Sequence, residues 1–282
     1  MEKDGIARVV GELFGFEFTV YNLSFVYVGM LLSGSSWEGK ILLITVAFFS
    51  ARSSAFLMNR YAGRDLDIKN LKKARMPSLG IPKGMILLMF LCFASIFLAS
   101  AYLLNMLAFA MAPVVLLLFI IDPFLKRKTS HRHFSIGILE SFDVAGGYIG
   151  AAGIFPTSLP LYILMASIIF IGAGFDIMYS VVHVDFDKAN GLRTYPAKYG
   201  PISALRLSSY VHAAAGIAML AFALCLHSYV ITAAALVGVC ILVMEHINID
   251  HRNDRELLKR AMLYNTVIAV LLALAVFINT FA

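Results

Sequence analysis

Residues 84–125 read GMILLMFLCFASIFLASAYLLNMLAFAMAPVVLLLFIIDPFL, with one formally charged side chain, Asp122, and one carboxamide, Asn105. The apolar residues show no period of 2 or 3.6, the pattern of a helix that is apolar all round. About 20 such residues cross the hydrocarbon core of a bilayer. The stretch therefore predicts two spanning helices broken at Asn105, and so short a connection makes them antiparallel neighbours.

The same reading extends in both directions. It predicts an all-α, polytopic membrane protein with nine transmembrane helices, at 17–34, 40–59, 84–104, 106–125, 134–154, 159–181, 203–226, 229–247 and 261–281. Composition agrees: 60% of the chain is hydrophobic and 14% is charged, where a soluble domain carries about a quarter charged residues. No linker or low-complexity tract interrupts residues 1–282, so a single transmembrane domain is expected. Residues 1–16 lack an apolar signal core, and no cleavable signal peptide is expected. Cys92, Cys225 and Cys240 lie in apolar blocks, and they are read as buried small residues without disulfide or zinc spacing.

A net charge of +6 could suggest nucleic acid, but its distribution argues otherwise. Of 23 Lys and Arg residues, all but Lys40 and Arg52 fall in segments 1–16, 60–83, 126–133, 182–206 and 248–260. These segments share one side of the membrane in the nine-helix topology. The connections at 105, 155–158 and 226–228 carry no basic residue. Such a bias places the basic segments and the N-terminus on the cytoplasmic face of the cell membrane, with the C-terminus outside.

Two of the helices end in acids. The second runs into Asn59-Arg60-Tyr61-Ala62-Gly63-Arg64-Asp65-Leu66-Asp67, and the sixth into Asp176-Ile177-Met178-Tyr179-Ser180-Val181-Val182-His183-Val184-Asp185-Phe186-Asp187. A basic loop follows each, within 60–83 and 182–206. Residues four apart share a helix face, so Asn59, Gly63 and Asp67 form one stripe, and Tyr179, His183 and Asp187 another. Carboxylates so placed can hold Mg²⁺, which takes oxygen ligands together with substrate phosphates. Arg52, Arg60, Arg64, Lys126 and Arg127 can neutralise the remaining charge of a diphosphate. The plainer alternative is that the acids are solvated helix ends. Arg52, Glu140, Asp143 and Asp176 lie deeper, where ionisable groups are costly and usually face a polar cavity. The repeated pattern suggests one site served by both loops.

These motifs resemble those of the UbiA superfamily of intramembrane prenyltransferases. The chain looks closest to the polyprenyltransferases that act on an aromatic acid in menaquinone synthesis by the futalosine route. The similar stretches are Ala51-Arg52-Ser53-Ser54-Ala55-Phe56-Leu57-Met58-Asn59-Arg60, Asp67-Ile68-Lys69-Asn70, Lys126-Arg127, Gly174-Phe175-Asp176-Ile177-Met178-Tyr179, Phe186-Asp187, the run from Gly191 to Gly200, and Glu245-His246. The resemblance implies helices around a central cavity that takes an isoprenoid diphosphate and an aromatic acid. It further implies Asn59, Asp67 and Asp187 as ligands of Mg²⁺, with Asp65 or Asp185 beside them. Asp67, Asp187 and Asp176 become the catalytic acids. Arg52, Arg60, Lys126, Arg127, His183, Asp122 and Tyr179 would contact the diphosphate or line its site. Three positions depart from the family pattern. Gly63 and His183 stand where an Asp is expected, and Asp122 stands where a Tyr is expected. The departures keep two other readings open: prenyl transfer to a glycerol-phosphate ether lipid, and a non-catalytic protein that binds isoprenoids or quinones.

Overall fold

The computed structural model describes residues 11, 13–14, 18–70, 77–247 and 254–282. Helices are the only regular structure among the described residues. The long ones are α1 (Thr19–Leu32), α2 (Ile41–Lys69), α3 (Lys83–Leu104), α4 (Met106–Leu125), α5 (Arg132–Ala152) and α6 (Leu159–Val181). Two short helices follow, α7 (Val184–Ala189) and α8 (Tyr195–Tyr199). The chain finishes with α9 (Pro201–Cys225), α10 (Tyr229–His246) and α11 (Asp254–Phe281). By length and composition, seven described helices can cross a membrane: α2, α3, α4, α6, α9, α10 and α11. The other two predicted spans coincide with α1, which has only 14 residues, and α5, which carries Glu140 and Asp143.

Two predicted boundaries move by more than a turn. The second helix was placed at 40–59, yet α2 continues to Lys69; the ninth was placed at 261–281, yet α11 begins at Asp254. Hydropathy marks where a chain leaves lipid, whereas helical hydrogen bonding continues into water. The predicted breaks are real turns. Asn105 ends α3 in extended conformation, and its Oδ1 accepts the Ala108 N–H (2.8 Å), which caps α4. At the other, His227 takes a positive φ of 51° and Ser228 Oγ accepts the Ile231 N–H.

By internal packing the chain forms two compact units. The first comprises residues 1–19 and 38–125, the second residues 20–37 and 126–282. In the first unit α2, α3 and α4 pack on one another. Leu57, Met58, Ile86, Phe90, Ala94 and Leu116 form its core, with Phe14 set edge-on against Phe93.

In the second unit α6 is the central element, packed against α5, α9 and α11. Ile177, Met178, Val181, Ala204, Val211, Leu257 and Ala261 are its buried contacts. Glycine sets how closely the helices approach. A Cβ at Gly29 would strike the Val144 backbone, one at Gly147 the Val26 backbone, and one at Gly137 the Ile169 backbone. Membrane helices pack by close contact rather than by the hydrophobic effect, which explains small residues at these crossings. Many large apolar side chains point outward, including Leu42, Leu88, Leu103, Leu117, Tyr210 and Tyr229, a surface that suits lipid. Cys92, Cys225 and Cys240 belong to this outer surface: all three are exposed, not buried as expected. An apolar block in a membrane helix faces lipid as readily as it faces the core, so hydropathy did not separate the two.

Candidate functional site

In the first unit the site residues sit on the last turns of α2. Because the helix is unbroken to Lys69, Asn59, Gly63 and Asp67 stay on one face. Gly63 and Asp67 are buried, and Asn59 is exposed. The Arg60 guanidinium stands 3.6 Å from Asp67 Oδ2, two turns along the helix. Asp65 is exposed, about 200° around the helix from Asp67, so it does not join the buried pair. Arg64 Nη2 donates to the Leu79 carbonyl at 2.6 Å and fastens the turn after α2. Lys83 lies over the Tyr61 ring, 4.8 Å from its centroid. Deeper in α2, Arg52 lies 5.0 Å from the Phe56 centroid. Asp122, in the last turn of α4, is half-buried.

In the second unit α6 stops at Val181, and Asp187 belongs to α7 instead of the same helix. The stripe expected from Tyr179 to Asp187 is thus broken by one tightened turn. His183 N–H donates to Ser180 three residues back, and Asp187 N–H to His183 four residues back. Phe175, Tyr179 and His183 still meet along one face, with centroids 5.9 and 5.8 Å apart and the His183 ring edge-on to Tyr179. Asp187 is buried and Asp185 exposed, so Asp185, like Asp65, lies off the buried group.

Two of the buried acids of this unit, Asp176 and Asp187, hold neighbouring residues of the chain. Thr194 Oγ1 donates to Asp187 Oδ2 at 2.8 Å. Asp176 Oδ2 is 2.6 Å from His133 Nδ1, and the Tyr195 N–H donates to His133 Nε2 at 3.2 Å. Because Nε2 accepts, the ring proton sits on Nδ1 and is given to Asp176. Arg132 adds a charge 3.6 Å from the same oxygen. Asp176, expected as a catalytic acid, is therefore committed to His133 and Arg132. The loop is also tied to the segment after α4: Arg193 N–H donates to the Lys126 carbonyl at 2.8 Å. Lys126 is half-buried and Arg127 exposed.

His133 was not singled out from the sequence. It lies 43 residues from Asp176, and no spacing pattern links them. His133→Ala would take a hydrogen bond from buried Asp176 and orphan the Tyr195 N–H. Leaving a buried hydrogen-bonding group without its partner costs about 1–3 kcal/mol. The expected result is a lower thermal midpoint in detergent and faster tryptic cleavage at Arg193; unchanged cleavage would contradict the anchoring.

The pattern of the UbiA prenyltransferase family matches residues 22–281. A 4-hydroxybenzoate octaprenyltransferase of Shewanella sp. (strain ANA-3) is 28% identical over 174 residues, 61% of this chain and 60% of that protein. The match thus spans less than two thirds of that relative. The apo structure of a UbiA homolog from Aeropyrum pernix K1 superposes with a TM-score of 0.83 at 26% identity, covering 93% of this chain and 98% of that one. A UbiA homolog from Archaeoglobus fulgidus bound to GPP and Mg²⁺ shares the fold, with a TM-score of 0.71 at 16% identity, over 97% of this chain and 100% of that one.

Proposed function

The chain belongs to the UbiA prenyltransferase family, and from that membership we propose that it transfers a polyprenyl group from an isoprenoid diphosphate to an aromatic acceptor. The observation that carries the reading is Asp67, a carboxylate kept buried beside Arg60 at the end of an apolar helix. Burying a charge is costly, so a solvated helix end is a poor account of it. The Shewanella relative's activity supports the aromatic acceptor. A hydroxybenzoate or dihydroxynaphthoate is the acceptor class, and menaquinone synthesis the setting we infer.

Asp67 and the Asn59 side-chain oxygen in the first unit, and Asp187 in the second, are the groups we propose as ligands for Mg²⁺. They fit it: they are hard oxygen donors. Bound Mg²⁺ supplies positive charge to the departing diphosphate. Arg52 and Arg60 in the first unit, and Lys126 and Arg127 in the second, are the cations we propose for the diphosphate. Phe175 and Tyr179 offer aromatic faces that shield an allylic cation from water. Asp176 acts by positioning: through His133 it holds Tyr195, next to the Thr194 that Asp187 holds.

The protein is a multi-pass membrane protein, and we place it in the cell membrane with the N-terminus cytoplasmic. The restriction of basic residues to alternate connections motivates this. In a background without native cysteines, Lys188→Cys should be labelled only from the cytoplasmic side and Phe155→Cys only from outside. The reverse pattern would overturn the orientation.

Gly63 and His183, in place of carboxylates, favour one competing reading, an isoprenoid-binding protein without turnover. Purified protein given geranylgeranyl diphosphate, Mg²⁺ and both 4-hydroxybenzoate and a glycerol-phosphate lipid separates the cases. The reading expects the prenylated aromatic acid as the main product by mass spectrometry. A prenylated glycerol lipid, or bound but unconsumed diphosphate, would refute it.

A further inference from the structure

We propose that His212, Glu245 and His246 form a binding site for a divalent transition-metal ion of the zinc type, separate in chemistry from the magnesium-binding acids. All three residues lie in the second unit, on α9 and at the end of α10.

The argument begins with the protons. His212 is 1% exposed, and its ring has room because Gly174 carries no Cβ there. Its Nε2 is 3.1 Å from the Ile171 carbonyl, which can only accept, so Nε2 carries the hydrogen. The Nδ1 of the neutral ring is then a bare lone pair. It faces His246 Nε2 at 2.9 Å and Glu245 Oε2 at 3.1 Å. Glu245 is fully buried, at 0%. Its Oε1 accepts from Asn265 Nδ2 at 3.2 Å, and the same amide donates to the Ala261 carbonyl at 2.7 Å. Oε2 has no hydrogen-bond partner among the described residues.

One proton can join His212 to His246, but it leaves a buried carboxylate oxygen unanswered. That is an expensive arrangement in a membrane protein. A divalent cation answers all three lone pairs together. One donor atom from each residue lies within 4.8 Å of the others. Zinc bonds of about 2.0–2.1 Å in tetrahedral geometry set donor atoms about 3.3 Å apart, within a few tenths of the 2.9 and 3.1 Å found here.

Donor type selects the ion class. Two imidazole nitrogens and one carboxylate suit zinc, with a fourth position left for water, and are poor ligands for Mg²⁺. The outer contacts are those of a built site: one histidine gives its other N–H to a backbone carbonyl, and an amide holds the carboxylate's second oxygen. Arg260, 2.6 Å from Glu256, donates to the Met244, Glu245 and Ile247 carbonyls and fastens the end of α10. A metal held there would staple α9 to the last turn of α10.

The test uses full-length protein carrying Asp67→Asn and Asp187→Asn, so that those acids cannot answer for the site. After chelator treatment it is titrated with Co²⁺, read by visible d–d absorption. One equivalent should bind in four-coordinate form, displaced by Zn²⁺ and not by excess Mg²⁺. His246→Ala and Glu245→Gln should each weaken binding by at least about 100-fold, and Asn265→Leu by about 10–100-fold. His246 is only half-buried, so His246→Ala should melt near the metal-free parent in chelator, and only the parent should gain stability from Zn²⁺. Absence of the four-coordinate band, or equal Zn²⁺ stabilisation of parent and His246→Ala, would overturn the proposal.

Discussion

Asp67→Asn is expected to lower kcat/KM for prenyl diphosphate consumption by about 10²–10³, the range for losing one preorganised electrostatic group. The thermal midpoint in detergent should change little. The amide keeps the shape of the carboxylate, so packing around this buried residue is preserved. Its carbonyl can still accept from Arg60, which is 18% exposed and can reach water. The charge alone is removed, and only a step that needs that charge should respond. Asp187→Asn should lose activity on the same scale, but it also weakens the bond from Thr194, so its loss mixes chemistry with loop anchoring. A drop in activity matched by unfolding, or no drop at all, would make Asp67 a structural partner of Arg60 and nothing more.

The second large effect concerns the ion. Gly63 and His183 stand where the resemblance to the UbiA family implies acids, so on our reading few protein carboxylates remain for Mg²⁺, and most of its binding should fall to the diphosphate. Metal and diphosphate should then bind with positive coupling, each raising the other's affinity by the same factor. Gly63→Asp together with His183→Asp should tighten Mg²⁺ binding without substrate by tenfold or more, about 1.4 kcal/mol or above, and reduce the coupling. Gly63 is buried, so the double variant should be less stable in chelator and recover with Mg²⁺. Calorimetric titration with and without a non-hydrolysable prenyl diphosphate analogue measures both quantities. Equal analogue affinity in Mg²⁺ and in chelator would sink the metal-dependent mechanism.

The long apolar blocks made the helices readable, because a bilayer demands continuous apolar length and tolerates few charges. The acid-tipped ends were readable because the pattern occurs twice, each time followed by a basic loop. Helix extents were not. Residues 60–69 and 254–260 are helical and charged, and hydropathy has no term for a helix standing in water. The step at Val182–His183 was also hidden, since one i→i−3 bond leaves no mark in composition. His133 escaped notice because its partners come from elements far apart in sequence. The same holds for His212, which lies 34 residues from His246. Helical spacing reveals stripes along one element; it cannot reveal which residues of different elements meet. Asp65 and Asp185 illustrate the converse: each lies two residues from a buried acid in sequence, yet is itself exposed.

The most direct test is a product measurement on the wild-type protein in lipid nanodiscs with geranylgeranyl diphosphate, Mg²⁺ and 4-hydroxybenzoate. Mass spectrometry and a diphosphate assay are run together. The account predicts a prenylated aromatic acid formed in step with free diphosphate, abolished by chelator and strongly reduced in Asp67→Asn. Diphosphate release without a prenylated acid, or product formation that ignores both chelator and Asp67→Asn, would contradict it.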